Sequence, residues 1–114
     1  MKQLSLSIKQ KYFDEIISGE KTEETREIRP KNAARYCEFD DKGVLIGPIK
    51  YDRIQFLTGA YTGTRPEAIV EVIDAEIILI EDENGELKTY VENDIEYIEA
   101  DIVYQLGTII SKPE

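Results

Sequence analysis

Residues 19 to 26 read Gly-Glu-Lys-Thr-Glu-Glu-Thr-Arg, a segment rich in ionisable side chains. In an extended segment Glu24 and Arg26 project to the same face, while Lys21 follows a glycine that can turn the chain and aim it separately. Arg26 offers a planar fork for a phosphate or a base edge, and Lys21 a compact cation. Glu24 can accept from the amino group of a base or act as the counter-ion that holds the Arg26 fork. The alternative is a polar strand whose charges pair with neighbours or face water, and charge patterning by itself does not decide between them.

The chemistry open to these residues is narrowed by composition. With no histidine among 114 residues, serine and cysteine triads, imidazole acid–base catalysis and His-containing zinc sites are all removed. Any catalysis must use Lys, Glu, Asp, Tyr or Arg. The net charge is -10, from 14 basic and 24 acidic side chains, and a uniform field of that sign repels polyanions. The charge is uneven, however. Residues 1–36 carry Lys2, Lys9, Lys11, Lys21, Arg26, Arg29, Lys31 and Arg35 against a smaller number of acids, so an anionic ligand is expected to meet the first third.

The elements that must position this segment follow from periodicity. Leu4, Leu6 and Ile8 alternate with Ser5, Ser7 and Lys9 as a strand with one buried face. Tyr12, Phe13, Ile16 and Ile17 then form a helical stripe, and Gly19 supplies a left-handed stop, so a short helix ends at Ser18. Lys21 to Arg29 has β-compatible Thr22, Thr25 and Ile28 but no apolar face; as a strand it carries charge on both sides. Pro30 closes it, Lys31 to Tyr36 forms one helical turn, and Glu38 to Gly47 is assigned to loop. Ile54 and Phe56 mark a short strand, followed by a Gly/Thr/Pro loop from Thr58 to Pro66 that presents Tyr61 and Arg65. Ala68 to Ile80 is a long strand interrupted at Asp74 and Glu76, Asn84-Gly85 a hairpin turn, Leu87 to Val91 the returning strand, and Ile102 to Ile110 a last strand with a bulge at Gly107. The expected fold class is α+β, mainly β: one domain over residues 1–114, with about six strands in a closed or nearly closed sheet and one or two short helices.

Gly19, Lys21, Glu24 and Arg26 fit a Gly-x-Lys-x-x-Glu-x-Arg signature, and on it the chain resembles the ASCH domain family, small β-barrels of the PUA-like superfamily. The likeness extends to the strand and helix that lead into the motif glycine, the loop with Tyr61 after a mid-chain strand, and the closing stretch Tyr104 to Ile110. It implies a bacterial protein with a cleft, lined by the motif, for RNA, a nucleoside or a nucleotide. Some members resemble amidohydrolases that deacylate N4-acylated cytidine, and others ribonucleases; Lys21 and Glu24 would be the catalytic pair if this chain is an enzyme. The hydrolase branch has a threonine where this chain has Glu24, and its distant glutamate sits on a late helix where this chain reads as strand and hairpin, so no Glu is carried over. Carboxylates at Glu20, Glu23 and Glu24 favour the ammonium form of Lys21, which suits a clamp better than a base. Binding is therefore ranked above catalysis.

Tyr61 and Arg65 can stack on and clamp a base, or pack on a rim. Lys9, Lys11, Arg29, Lys31 and Arg35 either form a basic rim, with Arg29 the ligand contact, or are solvated charges. Glu81-Asp82-Glu83 reads as a hairpin tip rather than a metal site, Tyr90, Tyr97 and Tyr104 as core or rim aromatics, and Cys37 as inert. No cofactor or metal is expected. One cysteine and no long apolar run make a cytoplasmic monomer without membrane contact the expectation. A third class remains: an interaction module of a phage or mobile element whose acidic remainder docks a basic protein.

Overall fold

A computed structural model describes residues 1–59 and 66–113. The chain is mainly β, with nine strands and two short helices among these residues. It divides into two compact units: one comprises Met1–Glu24, Lys50–Asp74 and Tyr104–Glu114, the other Thr25–Ile49 and Ala75–Val103.

The first unit is built on strand alternation. In β1 (Gln3–Ser7) Leu4 and Leu6 are buried and the intervening serine is exposed. β5 (Arg53–Leu57) pairs with β1 in parallel and with β6 (Glu67–Leu79) antiparallel. The registers set Leu4 beside Ile54 and Ile54 beside Val70, then Leu6 beside Phe56 and Phe56 beside Ala68. Two cross-strand rows of apolar side chains result, and Ile54, Phe56 and Ala68 have no exposed surface. Helix α1 (Gln10–Ser18) buries Phe13 and Ile16, while Tyr12, expected in the same stripe, stays 41% exposed. Gly19 ends the helix at φ 88° and donates its N–H to the Ile16 carbonyl, a left-handed stop that suits glycine. Tyr104 and Leu106 of β9 (Ala100–Ser111) complete the core. Gly107 has a steric reason to lack a side chain: a Cβ there would meet Ile73 Cγ1 at 2.9 Å and crowd Glu71 Oε1.

The second unit is organised by turns. The segment from Glu38 to Gly47 was expected to be loop; instead β3 (Cys37–Phe39) and β4 (Leu45–Pro48) form an antiparallel hairpin with a register shift at Glu38/Phe39. Its strands are too short, and their apolar residues too exposed, to leave a period-2 signature. Asp40 Oδ1 accepts from the N–H groups of Lys42 and Val44, and Gly43 sits at φ 81°. The same device recurs at Asp82, whose Oδ1 accepts from Asn84 and Glu86 while Gly85 takes φ 81°. A further hairpin was not foreseen: β7 (Thr89–Glu92) and β8 (Ile95–Ile98) are joined by Asn93 and Asp94 at φ 53° and 65°, the two left-handed residues of a type I′ turn. The expected count of about six strands falls short because of these small hairpins. One helical turn, α2 (Ala33–Tyr36), is where Lys31 to Tyr36 predicted it.

β2 (Glu23–Ile28) follows α1, and β1, β5, β6, β9 and β2 are hydrogen-bonded neighbours in that order. No helix among the described residues is long and apolar enough to cross a membrane.

Candidate functional site

The turn at Gly19 directs the following residues back along α1: Lys21 N–H donates to the Glu15 carbonyl at 3.0 Å. Thr22 is then tied to β9, its carbonyl accepting from Leu106 N–H at 2.9 Å, and the Gln105 side-chain amide donates to the Glu23 carboxylate. With the backbone fixed on both sides, Glu24 is carried inward. It is 5% exposed, a buried carboxylate in a strand that otherwise alternates exposed and half-buried positions. Lys21 Nζ lies 3.1 Å from Glu24 Oε1, with the lysine side chain 25% exposed. The pair has one partner out of water and one at the surface. Desolvating an ion costs several kcal/mol, so a carboxylate at this depth requires compensation by charge and hydrogen bonds.

Lys21 Nζ also lies 5.5 Å from the ring centroid of Tyr12, and Lys11 Nζ 5.7 Å from the same ring. A partly exposed aromatic thus has two ammonium groups within cation–π range. Beside Lys21 is a cavity of about 80 Å³ lined by Ile16, Gly19, Thr22, Val70 and Leu106 among others.

The remaining expected residues are placed as follows. Arg26, in β2, is half-buried. Tyr61 and Arg65 lie outside the described residues. Arg29 is in the second unit, where its Nε donates to the Glu27 carboxylate and its guanidinium lies 4.1 Å from the ring centroid of Tyr90. The bond to Glu27 raises the Arg29 pKa above its ordinary value against the opposing effect of desolvation, with smaller support from the charge of Glu27 and from Tyr90. Tyr90 in turn stacks on Tyr97 with centroids 5.6 Å apart. Arg35 is 5.8 Å from the ring of Tyr36. Cys37 is buried, and burial pushes its thiol pKa up, away from the reactive thiolate. Tyr104 belongs to the core.

Compared with protein-family models, curated proteins and solved structures, the chain matches none. The sequence reading missed the exposure of Tyr12, because a helical stripe does not say which edge residue the neighbouring elements leave uncovered. It also missed a cavity beside Arg29 lined by Glu99 and Asp101, residues some seventy positions away.

Proposed function

We propose that this chain is an ASCH-like domain of PUA-like fold that binds RNA or a nucleotide, with Lys21 and Glu24 at the centre of the site and Arg26 following on the same strand. The observation that carries the reading is the burial of Glu24 against Lys21 in a segment with no apolar face. A strand that served only as a solvated edge would leave such charges in water, where they cost least. Lys21, whose side chain is 25% exposed, supplies the cation for a phosphate, and Glu24 holds that cation in place. Tyr12, 41% exposed and near both Lys11 and Lys21, offers an aromatic contact of the kind single-stranded nucleic acids use. Because Lys21 is engaged as an ion-pair partner, it is assigned to holding the ligand and not to proton transfer.

Titration of the protein with mononucleotides and a short single-stranded RNA, followed by amide chemical shifts, tests this. Shifts are expected at Gly19, Lys21, Thr22 and Glu24, with affinity about tenfold lower in Lys21→Ala, the loss of one charge-assisted hydrogen bond. The salt dependence should be shallow, since few cations are available to release counterions. Equal affinity in the parent and Lys21→Ala would overturn the assignment, and turnover of N4-acetylcytidine would replace it with the amidohydrolase reading.

A further inference from the structure

The second unit contains a cavity of about 200 Å³ that the nucleotide reading does not use. Ile28, Ile80 and Ala100 contribute apolar wall, and Glu27, Glu99 and Asp101 contribute carboxylates; Arg29 and Tyr90 complete it. Its backbone frame is hydrogen-bonded: Ile80 N–H donates to the Glu99 carbonyl, Lys88 N–H to the Ile80 carbonyl and Glu99 N–H to the Lys88 carbonyl, all at 2.8–2.9 Å. The wall is thus held before any ligand arrives.

The charges around it do not balance. Arg29 is committed to Glu27 and to the face of Tyr90. Glu99 and Asp101 are half-buried and have no ion-pair partner among the described residues. Burial raises the Asp101 pKa, and the charges of Glu27 and Glu99 raise it further. An anion would be repelled here, and a neutral apolar guest would leave Glu99 and Asp101 without a counter-charge. A metal ion is not favoured, since no group of carboxylates among the described residues is placed to hold one.

We propose that this cavity binds a small organic cation, a primary ammonium on a short apolar body, with the ammonium at Glu99 and Asp101 and the body on Ile28, Ile80 and Ala100. A cavity of about 200 Å³ has room for an alkylamine of a few carbons. The proposal concerns different residues and the opposite ligand charge from the Lys21 site, so it stands or falls separately.

The test is a titration with n-butylammonium chloride followed by amide chemical shifts, with butan-1-ol as the neutral isostere and sodium chloride at matched ionic strength. Saturable shifts at Ile28, Ala100 and Asp101 are expected with butylammonium alone, with millimolar affinity. Asp101→Asn and Glu99→Gln, each checked for native shift dispersion, should weaken binding about tenfold. Absence of saturation, equal shifts with butan-1-ol or sodium chloride, or unchanged affinity in both folded variants would overturn the proposal.

Discussion

The two units of this chain are stabilised by different means. In the first, Leu4, Leu6, Ile54, Phe56, Ala68 and Val70 are buried in register-matched rows beside Phe13 and Ile16 of α1, and few large apolar residues remain outside. In the second, the buried apolar side chains are Tyr36, Cys37 and Ile102, whereas Phe39, Val44, Leu45, Ile46, Val91, Ile95 and Ile98 are all at least 44% exposed. That unit is held by hairpin ladders and by turns whose backbone groups are satisfied locally, at Asp40, Asp82 and Asn93–Asp94. The contrast shows where each kind of site can be built. A buried carboxylate such as Glu24 needs a surrounding core to remove it from water, whereas an open cavity with uncompensated charge survives where packing is sparse.

Substitutions separate the two regimes. The largest effect is expected for Phe56→Ala, which should lower the unfolding free energy by about 3–5 kcal/mol in chemical denaturation. Ile46→Ala, of comparable hydrophobicity but 62% exposed, should change it by no more than about 0.5 kcal/mol. Equal losses would mean that the second unit has a core of similar weight. Next come the turn aspartates. Asp40→Ala and Asp82→Ala each leave two backbone N–H groups without their acceptor and should cost about 1 kcal/mol, read from the same denaturation curves. If neither moves the midpoint, the turns do not hold the unit. Asp94→Gly removes a side chain from a left-handed position and should stabilise by about 0.5 kcal/mol.

The smallest effect is electrostatic, and its sign follows from Asp101. Its carboxyl pKa is raised in the folded protein by burial first and by Glu27 and Glu99 second. The cost of ionising it is therefore absent below the ordinary carboxylate range and appears as pH rises through the folded-state value. Asp101→Asn should raise the thermal midpoint at neutral pH, and the difference should vanish in acid. A difference that grows in acid would contradict the repulsion described.

How much of this was legible in the sequence differs between the units for the same physical reason. The alternation of Leu4 and Leu6, the β-branched run from Ala68 and the Gly19 stop are signals of burial and backbone geometry, and the first unit is made of them. Asn84-Gly85 was readable as a turn because glycine marks the left-handed position. The β3–β4 and β7–β8 hairpins were not, since Asn93–Asp94 carries no glycine and strands of three or four residues with exposed Leu45 or Ile95 lack a hidden face. For the site, the motif residues Lys21 and Glu24 were identified and do meet. Their depth, and the presence of Tyr12 beside them, depend on tertiary packing that no local pattern encodes. The pairing of residues near Arg29 with Glu99 and Asp101 is likewise a long-range result.

The central claim is that the charged segment after α1 exists to hold a ligand. Affinity for a short single-stranded RNA and unfolding free energy, measured side by side for the parent and Arg26→Ala, test it most directly. The loss of binding free energy is expected to exceed the loss of stability. A variant that binds as tightly as the parent while folding less stably would contradict it and make the segment a structural one.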